Sequence, residues 1–415
     1  MKSGILNYSI LGSLLLFFCP SLFAQWEVVS SGTTQQLNEI IFPVADTGFV
    51  VGNNGTFLRT YDSGESWIQL DLGTTDHLND IYFFNAQSGF VVGDNGFFAG
   101  TKDGGETWDI TTLIDKEPVK LSSVFFTSSL IGYAGGSNDL IDGIIFKTTD
   151  GGISWDITDS SDSALDRDFT RIVFPVPDTG YAITRGMCLK SVDAGDTWFV
   201  TDTALVASGN MFSILEDAHF FSADTGFVVG WYSPFCGYTA NGGENWTDQF
   251  VFNNQWYAID FPSRQTGYMV GWGQLVKTID GGQSWLDITS PLIASASIYA
   301  MSFINDSTGY TCGDNGLILR TNSGGVTSIS DELLSSNVSV YPNPAAQDFL
   351  ITFSNPASKT HTLFIYDSRG VLVHKAESIT TSRVIIDRKN MPGGIYALQL
   401  IKDGRIVYTQ KLILE

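Results

Sequence analysis

The chain has 415 residues, a formal charge of −22, 43 glycines, 12 prolines and 13% aromatic residues. That length allows more than one domain and a sizeable core, and the glycine and aromatic content leans towards β structure rather than disorder. Residues 331–415 hold nine Lys/Arg and eight Asp/Glu, which leaves 13 basic against 36 acidic residues before them. An excess of acid on that scale excludes binding to nucleic-acid phosphates or anionic membranes, which require basic patches.

The first 24 residues combine Lys2, an apolar stretch ending near Phe18, and Ala24 before "QWEVV". This pattern predicts a secretory signal peptide cleaved after Ala24. A lipoprotein anchor at Cys19 is disfavoured, because "LFF" precedes it where a small residue is expected. No later stretch reaches the ~18 apolar residues of a membrane span. Three cysteines remain after the signal, Cys188, Cys236 and Cys312, too few for a disulfide framework. Cys188 and Cys236 occupy equivalent repeat positions and could bridge; buried apolar cysteine is the alternative.

From residue 25 the chain repeats. "TYDSGESW" at Thr60 returns as "TKDGGETW", "TTDGGISW", "SVDAGDTW", "TANGGENW" and "TIDGGQSW", with a seventh copy, "TNSGGVTS", carrying Ser328 in place of tryptophan. The tryptophans Trp67, Trp108, Trp155, Trp198, Trp246 and Trp285 are 39 to 48 residues apart, a period that suggests a propeller. Each repeat contains four short apolar segments, such as "LNEIIFP", "GFVVGN", "GTFLRT" and "SWIQL", with Asn-Gly hairpin signals between the second and third in three copies. Gly followed by Phe or Tyr opens the second strand seven times, at Gly48, Gly89, Gly132, Gly180, Gly226, Gly267 and Gly309. The missing seventh tryptophan is supplied by "WEVVSSGTTQQLNEIIF", so Trp26 is expected to begin the outer strand of the last blade and close the ring.

These turns resemble the Asp-box of sialidase-like propellers, and residues 25–329 resemble the photosystem II stability/assembly-factor-like group of that superfamily. The box residues Asp62, Asp103, Asp150, Asp193 and Asp280 are expected to be structural, because a carboxylate there can accept bonds from its own turn. Boxes spread around a ring cannot converge on one substrate. The resemblance implies that binding uses the opposite face, which carries the loops between second and third strands.

Three sets of candidates follow. Arg59, Lys147, Lys190, Lys277 and Arg320 recur three positions before the box aspartate and read as snorkelling stems with local ion pairs. The starts of the innermost strands bring Asn38, Glu39, Asn79, Asp80, Thr170, Arg171, Glu216, Asp217, Tyr257 and Tyr299 to the channel mouth. If the protein is an enzyme, Glu39, Asp80, Arg171, Asp217 and Tyr257 are its catalytic candidates. Outside the repeat framework, Trp231, Tyr232 and Phe235 fall in the second-to-third-strand loop of blade five, Trp272 in that of blade six, and Trp256 in the connection between those blades; the long connection 201–215 arrives nearby. They form a candidate ligand-binding platform.

After the linker 330–337, residues 338–415 alternate apolar residues between Gly, Pro and Asp turns, as expected of a small Ig-like β-sandwich. The stretch resembles the type A sorting domain of the type IX secretion system of Bacteroidetes, on Tyr341-Pro342-Asn343-Pro344, the Tyr366-Asp367 to Gly370 turn, Pro392 to Tyr396, and "QKLILE". That resemblance implies recognition by the type IX translocon and delivery to the outer cell surface or the medium.

The expected architecture is all-β: a seven-bladed propeller closed by the N-terminal strand, then the sandwich. The expected function is a non-catalytic binding module for an extracellular glycan or surface protein. The alternative is a glycoside hydrolase using paired carboxylates such as Asp80 and Asp217 at the channel mouth. A sialidase is disfavoured, since Arg171 is the one arginine expected at the mouth. No metal or cofactor is expected.

Overall fold

A computed structural model describes residues 26–113, 119–138, 143–160, 168–201, 214–231, 236–249, 251, 254–293, 295–325, 338–353, 355, 358–367, 371–388, 391–402 and 405–415. The signal segment, the linker, Ser328, Tyr232, Phe235, the turn 368–370 and residues 202–213 lie outside the described residues. Seven four-stranded antiparallel sheets form seven blades, whose innermost strands are Leu37–Val44, Leu78–Phe83, Val119–Phe126, Phe169–Val176, Ile214–Phe220, Trp256–Asp260 and Ile298–Phe303. The seventh sheet is completed from the other end of the propeller. Glu27–Val29 pairs with Ile318–Thr321, Glu27 opposite Arg320 and Val29 opposite Ile318.

An aromatic girdle explains why the repeat has the sequence it has. A phenylalanine near the end of each innermost strand (42, 83, 126, 174, 220, 261 and 303) lies over the glycine that opens the second strand of its own blade. A β-carbon on that glycine would meet the ring at 2.6 Å in blade one and 2.3 Å in blade seven, so the position takes no side chain. The aromatic residue after the glycine then stacks on the phenylalanine of the next blade, with centroids 3.8 Å apart for Phe90 and Phe126 and 3.9 Å for Tyr310 and Phe42 across the closure. The box tryptophan completes the set edge-on, as Trp108 does against Phe83 at 6.2 Å and 90°. Trp26 does the same against Phe303, at 6.1 Å and 89°, and is buried. It stands where a tryptophan after the seventh box would stand.

Within the box, Asp62 accepts from Ser66 N at 2.9 Å and Ser66 Oγ at 2.6 Å, while Gly64 N donates to Thr60 Oγ1 at 3.0 Å. Gly64, with φ of 72°, takes the left-handed conformation that the turn requires. These bonds hold the carboxyls of Asp62, Asp103, Asp150 and Asp193 down at about 2, the hydroxyl of the following Ser or Thr being the largest cause. Each is a carboxylate spent on its own turn.

The basic residues before the boxes bind the next blade rather than solvent. Lys147 Nζ donates to Ala194 O at 2.7 Å and pairs with Asp196, Lys190 donates to Gly242 O at 3.2 Å, and Arg320 pairs with Glu27 and reaches Ser63 O at 3.4 Å. Tyrosines on the second strands add to this, with Tyr310 Oη donating to Ser63 O at 2.7 Å. Cys188, Cys236 and Cys312 are free and buried, so the Cys188–Cys236 bridge does not form; each sits in the apolar core between its own blade and the next.

Residues 338–415 form two facing sheets, one of three strands (Ser339–Tyr341, Phe349–Thr352, Arg383–Ile386) and one of four (Leu372–Ile379, His361–Asp367, Gly394–Lys402, Arg405–Leu414). Phe349, Ile351, Leu363, Ile365, Leu398 and Leu412 fill the space between them, as alternating strands of a sandwich should. Among the described residues, no helix is long and apolar enough to cross a membrane.

Candidate functional site

All seven innermost strands carry a β-bulge at the same place. The pairing slips between Leu37 and Glu39, Leu78 and Asp80, Leu121 and Ser123, Phe169 and Arg171, Leu215 and Asp217, Trp256 and Ala258, and Ile298 and Ala300. A bulge sets two residues of one strand against one of its partner, which re-aims the side chains of both. Two stacked rings result around the axis. The outer ring is Asn38, Asn79, Ser122, Thr170, Glu216, Tyr257 and Tyr299; the inner is Glu39, Asp80, Ser123, Arg171, Asp217, Ala258 and Ala300.

The inner ring closes the channel with an ion cluster. Arg171 reaches Glu39 at 3.0 Å, Asp80 at 3.4 Å and Asp217 at 3.1 Å, drawing together blades one, two, four and five. The carboxylates are also bonded to backbone. Asp80 accepts from Ile81 N at 2.9 Å and from Val124 N of the next blade at 2.8 Å, and Asp217 accepts from Ala218 N at 2.8 Å and Ile259 N at 2.9 Å. Three carboxyls share one guanidinium in a largely buried site. Burial pushes Asp80 and Asp217 up, with Arg171 opposing, and Glu39 is driven to about 8 by burial against Arg171 and with repulsion from its neighbours.

On either side of this plug the channel opens. Towards the boxes lies a basin of about 420 Å³ lined by Ile41, Tyr82, Phe125, Val173, His219, Asp260 and Ser302 among others. Towards the loops is a polar mouth of about 500 Å³. The mouth's outer ring does two different things. In blades one, two and four its residues are staples: Asn38 donates to Leu78 O at 2.8 Å, Asn79 to Leu121 O at 2.8 Å, and Thr170 to Leu215 O at 3.1 Å. Each satisfies a carbonyl beside the neighbouring blade's bulge, and burial would penalise that carbonyl if it were left unpaired.

The pattern is absent in blade three, where Ser122 Oγ is buried without a partner, and in blades five to seven. Glu216 makes no hydrogen bond or ion pair among the described residues, and burial pushes its carboxyl up to about 7, opposed by Arg185 and Lys120. Tyr257 and Tyr299 meet at 5.1 Å between centroids, and Trp231 stands edge-on to Tyr257 at 5.3 Å and 89°. Tyr257 Oη donates to Gln255 and Tyr299 Oη to Asp314. Trp272, 60% exposed, pairs with Ser297 in an isolated bridge on the same loop face.

Two expectations need correction. Trp256 is not displayed in a connection: it begins the innermost strand of blade six, is 0% exposed, and donates its indole N–H to Val251 O at 3.2 Å. Nor is Arg171 the one arginine at the mouth. Arg185, from the second-to-third-strand turn of blade four, and Lys120, from blade three's innermost strand, line it too, with Asp168 paired to Arg185 at 3.4 Å. The remaining candidates, Glu39, Asp80, Arg171, Asp217 and Tyr257, do come together around the plug and mouth. The sequence signal that could have found Arg185 is its place in a tight turn, where blades one, two and seven carry Asn or Asp.

Comparison with known proteins bears on the fold and the destination. Residues 65–158 match the family described as Photosynthesis system II assembly factor YCF48, and residues 339–415 match the Secretion system C-terminal sorting domain. The chain is similar to YCF48 bound to D1 peptide, with 20% identity, a TM-score of 0.58, and coverage of 74% of this chain and 100% of that one. It is similar to YCF48 from Cyanidioschyzon merolae, with 21% identity, a TM-score of 0.57, and coverage of 72% and 98%. The Niastella koreensis GH74 enzyme also resembles it, with 14% identity, a TM-score of 0.56, and coverage of 91% and 73%. At these identities the likeness is one of fold. No curated protein sequence matches significantly. The chain is a seven-bladed β-propeller with the YCF48-type repeat in residues 65–158, joined to a sorting domain that marks it for type IX secretion to the cell surface or the extracellular space.

Proposed function

We propose that the propeller is a non-catalytic binding module, which holds an extracellular glycan or a segment of a surface protein at the loop-face mouth, in the sector of blades five to seven. The observation that carries this reading is the commitment of Asp80 and Asp217. Both are bonded to Arg171 and to two backbone amides, so neither is free to deliver a proton or attack a sugar. Beside them the mouth presents Glu216, which has no hydrogen-bond partner among the described residues, and the rings of Trp231, Tyr257 and Tyr299, with Trp272 nearby. Rigid aromatic rings of this kind give large contact area at low entropic cost. The fold relative solved with D1 peptide supports a peptide ligand, as an analogy of fold.

A hydrolase reading has one observation in its favour. A carboxyl raised to about 7, as Glu216 is, suits a general acid near neutral pH. The secreted chain should therefore be screened against glycan and surface-protein arrays beside a reducing-sugar assay. Binding that is lost in Trp231→Ala/Trp272→Ala, without sugar release and with little change in thermal unfolding, is the expected result. Sugar release abolished by Glu216→Gln would establish the hydrolase instead.

A further inference from the structure

We infer that the basin on the box side of the channel is a second binding site, which takes a small primary amine with an apolar body. It lies across the Arg171 plug from the mouth, so the function proposed for the mouth stands or falls separately. Two residues beyond the inner ring, each innermost strand contributes one more side chain to this cavity of about 420 Å³. That third ring is divided by chemistry. Blades one to four supply Ile41, Tyr82, Phe125 and Val173, and blades five to seven supply His219, Asp260 and Ser302. Tyr82 spends its hydroxyl on Phe126 O at 2.9 Å, which leaves the rest of its side chain to the apolar wall. A cavity with one apolar and one polar wall suits a ligand of the same construction, the apolar area giving affinity and the polar groups orientation.

The polar wall has acceptors to spare. His219 makes no hydrogen bond among the described residues, although Tyr82, Asp260 and Ser302 in the same ring all bond to the next blade. Burial, with help from Arg171, pulls its imidazole down to about 4, so at neutral pH one ring nitrogen is an acceptor. Asp260 accepts from Phe303 N at 3.0 Å and from the Phe261 amide, which leaves capacity on a carboxylate with about four acceptor sites. Its Oδ1 stands 3.9 Å from His219 Nδ1, too far for a direct hydrogen bond. A charged donor placed between them, about 2.8 Å from each, joins both when the imidazole proton is on Nε2. Ser302 Oγ, on the next blade, accepts a single long bond of 3.3 Å from Phe42 N.

These three acceptors on consecutive blades select the head group. A primary ammonium carries three N–H donors and a charge to set against the Asp260 carboxylate. Burial raises Asp260 to about 6, so it is mostly ionised at pH 7.5. It repels an anionic head, and a hydroxyl head brings no charge to it. Arg171 is the one Lys or Arg lining the basin, and it is paired inside the plug with Asp80 and Asp217, while Glu39, raised to about 8, is largely neutral. Half-buried Ile41, Phe125 and Val173 receive the apolar body.

The test is calorimetric titration of the full chain at pH 7.5 with 2-phenylethylamine and with its uncharged counterpart, 2-phenylethanol. The amine should bind at least about tenfold more tightly, because only the amine sets a charge against Asp260. Asp260→Asn should weaken the amine about tenfold and spare the alcohol. Val173→Phe, which fills the apolar wall, should weaken both about tenfold. Asp224→Asn lies outside the basin, removes the same charge and should change neither. Thermal unfolding of each variant separates lost binding from lost fold, and the comparison of the two ligands on the unaltered chain needs no variant. The inference is overturned by equal affinity for amine and alcohol, by equal effects of Asp260→Asn and Asp224→Asn, or by amine binding that Val173→Phe leaves untouched. The absence of saturation below about 10 mM amine overturns it as well.

Discussion

Blades one, two and four and blades five to seven share a backbone at the channel mouth and use it differently. In the first group the outer bulge residue reaches across to the next blade's carbonyl, as Asn79 does to Leu121 O at 2.8 Å. In the second the same position holds Glu216, Tyr257 and Tyr299, none of which donates to a neighbouring blade's innermost strand. A polar residue at a repeated position is thus scaffold where it follows the pattern. Where the pattern breaks, at Ser122 and in blades five to seven, the side chain does not join the blades and is open to another use.

The comparison can be broken at several points, and the largest effect is expected far from the mouth. Trp26→Ala should cost about 3–5 kcal/mol, the range for truncating a buried tryptophan, because it removes both the ring against Phe303 and the anchor of the closing strand. Urea unfolding of the full chain measures it. An effect below about 1 kcal/mol would mean that the ring closes without it.

Arg171→Met should cost about 3 kcal/mol, since it leaves Glu39, Asp80 and Asp217 together without a counter-charge. The cost should shrink as pH falls and the carboxyls take up protons. If the loss were the same at pH 5 and pH 8, the cluster would not be the cause.

The wild-type protein should respond to pH in a related way. Glu39 titrates at about 8 in the folded chain, above its ordinary value of 4.5, so the folded state binds the extra proton between those values. Stability from this group is then present below about pH 4.5 and is lost as pH rises towards 8. A shallower decline of the unfolding midpoint between pH 5 and 8 in Glu39→Gln than in the wild type is the expected outcome.

Much of the architecture was legible in the sequence because it depends on residues of one kind recurring at one spacing. Gly-aromatic pairs, box turns and tryptophans each report a local requirement, and Trp26 with Ser328 disclosed the closure by a single exchange. The sorting domain was legible for the same reason, through its Tyr-Pro-Asn-Pro and Pro-to-Tyr396 motifs.

The site was legible only in part. Glu39, Asp80, Arg171 and Asp217 were visible as polar residues in apolar strands, but the bulge that stacks them in two rings is a property of hydrogen-bond register, which sequence periodicity does not carry. Trp256 was misplaced by the same cause: a short connection makes it the first residue of a strand, and burial follows. Arg185 comes from a second-to-third-strand turn and Lys120 from the start of blade three's innermost strand, ahead of its bulge, and the ring geometry brings both to the mouth.

The most direct test of the distinction between scaffold and released positions is to unfold Asn79→Ala and Glu216→Ala in urea side by side at pH 8. Asn79→Ala should lose about 1–2 kcal/mol, because Leu121 O is left without its donor. Glu216→Ala should lose nothing, or gain, because an unpaired carboxylate is removed from a part-buried place. If Glu216→Ala costs as much as Asn79→Ala, the two groups of blades do the same work at the mouth and the account is wrong.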